Sequence, residues 1–395
     1  MKKITALLLA GLLLSLLAAC GLPFAPRSTP EPTPSAPEES APEPEPTPSV
    51  TLRLAAAVGG EEEARWAYAL ERLETALPDV AVTFAAPGEA AELLLLGESE
   101  MDARAAAGDL ADLAAEPSAL ALLEALPPAL REGAVTPEGE LFALPARAAE
   151  TWCLFFRASR FAAAPDTPTA LFEGLAGQDA PALLCPDEDE ALLAFFEGVY
   201  RSYDERGLNG LFRGETSPYD EAVRQSAYAL YRLGRAGAVS LTGADEALAQ
   251  WETGAAALFA REGAAGALGE EARLLPWGAV RAGEGAFLAV AADAAHPSLA
   301  AAAACELCRG LAAYDLRENA GACVTLPDEA AAGTPLAQEL SAYRRALTAC
   351  VRLEPETAPA LAEALSTGVR ELLLGTMTPD EFAEIAALAL DARPA

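Results

Sequence analysis

Between Thr51 and Phe84 the hydrophobic period changes twice, and that change dictates the architecture. Leu52, Leu54, Ala56 and Val58 alternate, as residues on one face of a strand do. Gly59-Gly60 break the alternation, and Glu61-Glu62-Glu63 put negative charge where a helix exposes its positive dipole end. Trp66, Leu70, Leu73 and Leu77 then recur at helical spacing, Pro78-Asp79 stop the helix, and Val80, Val82 and Phe84 alternate again. Strand, helix and strand within about 35 residues make a parallel α/β unit.

The rest of the body continues in kind. Leu93–Leu96 is an uninterrupted apolar run, as in a strand covered on both faces. Leu141–Leu144, Trp152–Phe156, Ala182–Cys185, Ala255–Ala260 and Ala286–Ala291 read as further short strands. Thr167-Pro168 opens a helix with a threonine cap and proline at the first helical position. Asp187–Tyr203 reads as a helix, and Ser217-Pro218 opens another that reaches Leu233. Pro297, Pro335 and Pro379 mark the starts of late helices, and Thr378 faces Glu381 in a capping box. No internal repeat stands out.

The N-terminal 50 residues have a different character. Lys2-Lys3 precede an apolar stretch from Ile4 to Leu17, too short for a membrane span of about 20 residues. Leu17-Ala18-Ala19-Cys20 closes it, as in the cleavage box of a bacterial lipoprotein signal. Residues 1–19 are therefore expected to be a signal peptide and Cys20 the lipidated first residue of the mature chain, carrying acyl groups such as palmitate. Residues 20–50 are rich in Pro and Glu, which cannot build a core. Such a tether extends at roughly 3 Å per residue and holds a body up to roughly 90 Å from the lipid. The expected location is the outer face of the cytoplasmic membrane.

Composition bounds the partners. The formal net charge is −32, from 27 basic and 59 acidic residues, which disfavours nucleic acid and anionic lipid surfaces. With 52% hydrophobic residues in the chain, the segment 51–395 is long enough for two lobes or one large domain. Besides Cys20 there are Cys153, Cys185, Cys305, Cys308, Cys323 and Cys350. The Cys305-x-x-Cys308 pair lies within an alanine-rich helical run, and no second pair or histidine cluster completes a metal site, so these thiols are expected to pack as small hydrophobes. His296 is the only histidine, and neither a nucleophile elbow nor a phosphate loop is present. No cofactor and no metal are expected. A glycosidase-like enzyme remains an alternative, because paired carboxylates leave no fixed local spacing.

Several segments, in order, resemble the extracellular solute-binding proteins of ABC importers, of the carbohydrate or maltose type. Ala105-Ala106-Ala107-Gly108-Asp109-Leu110-Ala111-Asp112-Leu113 resembles a recurring segment of that family, and Gly139-Glu140-Leu141-Phe142-Ala143-Leu144-Pro145 resembles one of its strands. Leu154-Phe155-Phe156-Arg157, Trp251–Leu258 and Leu374–Glu381 are similar to later ones. Phe156-Arg157 stands where the family has Tyr-Asn, and the segment after Gly254 lacks the usual methionine. The resemblance implies a two-lobe, type II periplasmic-binding-protein-like α/β fold with interlobe hinge strands. Lobe 1 would take residues 51–145 and 286–316, and lobe 2 residues 158–277 with C-terminal helices in 327–395. It also implies a non-enzymatic, monomeric protein that delivers a small solute, a sugar by preference, to a membrane permease. A sensor or adaptor on the same fold is the other implied role.

Candidate ligand contacts follow from strand ends and aromatic placement. In open α/β sheets ligands gather beyond the carboxyl ends of strands, where Gly59, Gly60, Glu98 and Ser99 lie. Carboxylates there suit sugar hydroxyls or a cationic ligand such as a polyamine; plain turns and solvated loops are the competing readings. Glu150 occupies the position where maltose-type relatives place a sugar-contacting carboxylate, as the resemblance implies. Trp152 shares its strand face. Trp277, flanked by Pro276 and Gly278, is expected to line a cleft, while Trp66 and Trp251 are expected in the core.

Overall fold

The computed structural model describes residues 50–60, 62–86, 88–131, 134–136, 139–178, 182–277, 280–318, 333–347 and 350–391. The signal segment, Cys20, the tether to residue 49 and Cys323 lie outside the described residues.

Two sheets organise the chain. The first contains β1 (Val50–Ala55), β2 (Val80–Phe84), β3 (Leu93–Gly97), β4 (Ala143–Arg147) and β11 (Ala286–Val290), in the order β2-β1-β3-β11-β4. β1 runs parallel to β2 and β3, as the strand–helix–strand pattern requires, and β11 is antiparallel to both β3 and β4. The first strand stops at Ala55, short of the expected Val58, and β4 starts two residues beyond the expected Leu141. Helices Glu62–Ala76 and Pro297–Glu318 pack against each other over this sheet. They approach so closely that a Cβ on Gly310 would sit 2.7 Å from the Ala69 Cα. Cys305 and Cys308 lie on the second of these helices, fully buried with free thiols.

The second sheet contains β5 (Glu150–Arg157), β6 (Leu183–Pro186), β7 (Val239–Thr242), β8 (Ala257–Arg261), β9 (Ala272–Leu275) and β10 (Arg281–Ala282). Its order is β10-β5-β8-β6-β7, with β9 also paired to β5. Helix Pro168–Leu175 starts where expected, with Thr167 accepting from the Ala170 N–H at 3.2 Å. The helix expected from Ser217-Pro218 begins instead at Glu221, behind Asp220. Helices Pro359–Leu374 and Pro379–Asp391 pack on Asp189–Tyr200 and Glu221–Arg235, so the C-terminal helices join the second lobe. Gly234 permits the contact, because a Cβ there would lie 2.2 Å from the Leu372 carbonyl oxygen. The Thr378–Glu381 box is formed in both directions: the Glu381 N–H donates to Thr378 Oγ1 at 3.3 Å and the Thr378 N–H to Glu381 Oε2 at 2.8 Å.

The chain crosses between the sheets from β4 to β5 and returns from β10 to β11. Each flank of the first crossing is held by a buried arginine–carboxylate pair. On the first lobe, Arg65 Nε donates to Asp315 Oδ1 at 2.7 Å and its Nη2 to Asp315 Oδ2 at 2.9 Å, with a further bond to the Ala146 carbonyl at 3.2 Å. On the second, Arg344 Nε donates to Glu262 Oε1 at 2.9 Å, and Nη2 bonds both Glu262 Oε2 and the Ala149 carbonyl, the latter at 2.9 Å. Glu262 also accepts from the Thr151 hydroxyl at 2.9 Å. Burial pushes the Glu262 carboxyl up, and the Arg344 guanidinium opposes that shift.

Candidate functional site

A cleft of about 730 Å³ lies where the lobes meet. Glu98, the first residue of the Glu98–Ala107 helix, reaches it from the first lobe. Trp152 on β5, Glu190 on the Asp189–Tyr200 helix and Arg281 on β10 reach it from the second. Gly283 and Glu284, in the return crossing, form part of its floor, and the C-terminal segment adds Arg352, Glu356 and Glu363. Volumes of about 300–1,000 Å³ are typical of small-molecule sites, which favour the junctions between domains.

The polar groups pair off in separate sets, one of which spans the junction. Both Arg281 Nη atoms bond the Glu98 carboxylate, with Nη1 at 3.3 Å from Oε1, so an ion pair bridges the lobes. Trp152 Nε1 donates to Glu190 Oε1 at 3.3 Å, and Glu190 Oε2 accepts from Arg261 at 3.2 Å. The Trp152 ring stacks on Phe259 at 5.2 Å, with Arg261 Cζ 5.3 Å from its centroid. Asp189 pairs with Arg370 at 3.1 Å. Glu284, Glu356 and Glu363 make no side-chain hydrogen bond or ion pair among the described residues.

Of the residues singled out from sequence, Glu98 and Trp152 line this cleft together. Glu98 does so as the opening residue of a helix, not from a strand-to-helix loop, and the adjoining Ser99 faces solvent. Glu150 lies on β5 opposite Ala282, its carboxylate 4.0 Å from Arg147, outside the cleft lining. Gly59 and Gly60 lie in open surroundings, with no atom within 4 Å of a Cβ built on either, and they too are outside the lining.

Trp277 requires correction. It was expected at the cleft, yet it is 2% exposed. Its ring stacks on Phe195 at 5.1 Å and meets Phe259 at 5.9 Å and Phe172 at 6.1 Å. Gly198 makes the space, because a Cβ there would fall 1.9 Å from Trp277 Nε1. Distant aromatic partners and one missing methyl group turn a loop residue into a core residue. Trp66 and Trp251 are buried, as their helical spacing indicated.

Asp189 and Glu190 stand in a helix first turn, where acids offset the dipole without any ligand, and Arg281 and Glu284 flank the return with no local pattern to mark them. Their place in the cleft comes from the topology. Glu356 and Glu363 had no local signal at all, because the sequence does not say where the C-terminal helices dock.

No protein-family model and no curated protein matches the sequence. Solved structures do. An extracellular solute-binding protein, family 1, from Alicyclobacillus acidocaldarius superposes with a TM-score of 0.61 at 14% identity, over 88% of this chain and 99% of that one. The chain has the two-lobe solute-binding-protein fold. A maltodextrin-binding protein from L. casei gives a TM-score of 0.57 at 15% identity, over 87% of this chain and 99% of that one. A structure described for xylan utilization by Caldanaerobius polysaccharolyticus gives 0.58 at 15% identity, over 86% and 99%. The solute-binding fold places its two α/β lobes on either side of the cleft described above. Among the described residues, no helix is long and apolar enough to cross a membrane, and no cluster of His, Cys, Asp or Glu is arranged to hold a metal ion.

Proposed function

We propose that this chain is the capture component of an importer: it takes a saccharide from outside the cell into the interlobe cleft and passes it to a membrane permease. The observation that carries the reading is the cleft itself, about 730 Å³ at the hinge, with polar side chains supplied by both lobes. A ligand that touches Glu98 on one side and Glu190 or Glu363 on the other is bound better when the lobes are closed, so binding shifts the population toward closure. Release to a permease then requires reopening, which a partner gripping both lobes drives. The solved structures of similar fold include proteins named for maltodextrin and chitin oligosaccharide binding, which supports a sugar as the solute. The Leu17-Ala18-Ala19-Cys20 box supports attachment by acyl chains, with the Pro/Glu-rich tether as spacer.

Isothermal titration of the purified chain against a panel of mono- and oligosaccharides tests the capture step. Saturable binding without product formation, together with a fall in radius of gyration by small-angle scattering, is expected. Hydrolysis of a panel sugar would instead establish an enzyme. Anchoring is tested by fatty-acid labelling in cells: the label is expected on the native chain and absent from C20S, which should appear in the medium.

A further inference from the structure

We infer that the solute is cationic, an amine-bearing oligosaccharide and not a neutral one. The inference rests on the cleft reading above and specifies its ligand. Two independent observations carry it. The first is charge. The lining includes the carboxylates Glu98, Asp189, Glu190, Glu284, Glu356 and Glu363 against the guanidiniums of Arg281 and Arg352. Glu98 is already paired to Arg281, Asp189 to Arg370, and Glu190 to Arg261. Glu284, Glu356 and Glu363 have no cation of their own among the described residues, and all three are solvent-exposed. Three uncommitted carboxylates against the one uncommitted guanidinium of Arg352 leave the described wall net negative, and an excess of one sign in a concave site concentrates counter-charged solutes there.

The second observation concerns stacking. Neutral sugars are gripped largely through the apolar face of the ring, which calls for an open aromatic platform. Trp152 is the one aromatic side chain among the described lining residues, and it is 2% exposed. Phe259 stacks on its ring, Arg261 lies close to it, and its N–H is committed to Glu190. With no free aromatic face, recognition falls to the carboxylates. A carboxylate accepts hydrogen bonds from hydroxyls and from ammonium groups, but only the ammonium adds charge to the bond, which about doubles its strength. The unpaired acids Glu356 and Glu363 border the cleft on the C-terminal segment, while Glu284 lies on the return crossing, so amines on successive sugar units find acceptors on different walls.

The test is titration of the full chain with three probes at low and at 200 mM salt: a β-1,4-linked glucosamine trisaccharide, its fully N-acetylated counterpart, and spermidine. The glucosamine trisaccharide is expected to bind at least tenfold more tightly than the acetylated one. Its affinity should fall as salt rises, since screening weakens contacts between exposed charges. The double variant E356Q/E363Q is expected to weaken it about tenfold without a change in melting temperature, because neither side chain has a structural partner. Equal or tighter binding of the acetylated sugar overturns the charge inference and leaves the saccharide reading standing. Binding of spermidine with neither sugar overturns the saccharide reading and the amine-bearing oligosaccharide with it, and leaves only a cationic solute. An unchanged affinity in the double variant overturns the assignment of these carboxylates.

Discussion

Replacing Arg344 by methionine tests what anchors the first crossing to the second lobe. Arg344 is 2% exposed and Glu262 is fully buried. Methionine keeps most of the volume and removes every donor. Glu262 is then left with the Thr151 hydroxyl at 2.9 Å and the Thr151 N–H at 3.3 Å, and the Ala149 carbonyl loses its Arg344 partner. Removing one member of a buried ion pair costs about 3–5 kcal/mol, because the remaining charge has neither water nor counter-ion. For a body of this size that corresponds to a fall in melting temperature of roughly 5 °C. Burial already pushes the Glu262 carboxyl up against the opposing effect of Arg344, and without the guanidinium the shift grows. A carboxyl whose folded-state pKa is raised is penalised as pH climbs and relieved as it falls. The gap between R344M and the native protein should therefore narrow between pH 7.5 and pH 5. The double variant R344M/E262Q keeps an acceptor for Thr151 and buries no charge, so it should recover most of the loss. Calorimetric unfolding of the three proteins at both pH values measures each quantity. A single variant that loses less than about 1 kcal/mol, or a double variant no better than the single, would refute the reasoning.

Three further outcomes follow from the packing. G198A should destabilise the second lobe by about 1–3 kcal/mol through overpacking, since its methyl group would overlap the Trp277 indole, 1.9 Å from Nε1; an unchanged melting temperature counts against the aromatic cluster. Glu197 is buried, accepts from the Leu208 N–H at 2.6 Å and lies 3.6 Å from Arg201, and burial raises its pKa. The folded state thus binds this proton more tightly than the unfolded one, and stability falls as pH rises above the ordinary carboxylate range. E197Q should compare better with the native protein at pH 8 than at pH 5, and parallel pH profiles for the two would contradict this. Burial pushes the Cys305 thiol up to about 11 and raises those of Cys153, Cys185 and Cys308 well above the ordinary thiol range. Burial raises the Cys350 thiol too, but this side chain is only partly buried, so mass-mapped labelling of the native protein with a thiol reagent should modify Cys350 first and leave the other four unmodified.

What the sequence discloses is what local chemistry decides. Alternation at Leu52 and Leu54, the helical repeat from Trp66 and the prolines at 168, 297, 335 and 379 each act over a few residues, and each element forms. The helix from Pro359 escaped notice because no side chain caps it: the residue before it is Ala358, in alanine-rich surroundings. β7, β9 and β10 are too short to show a period. The cleft is harder to read, because it joins positions 98, 152, 190, 281, 356 and 363, which only the topology brings together. Glu98 and Trp152 were legible as a strand-end acid and a crossover aromatic. Trp277 misled because Pro276 and Gly278 describe its backbone, while Phe172, Phe195 and Phe259 decide its burial.

The arginines flanking the first crossing have a mechanical corollary. Arg65 fastens the Ala146 oxygen to one lobe and Arg344 fastens the Ala149 oxygen to the other. Rotation on that side is then confined to the peptides joining these two anchor points, so the axis of swing is short and stiff. A single residue added within that stretch would change the arc the halves travel while leaving both cores intact, and the protein would grip with its jaws out of line.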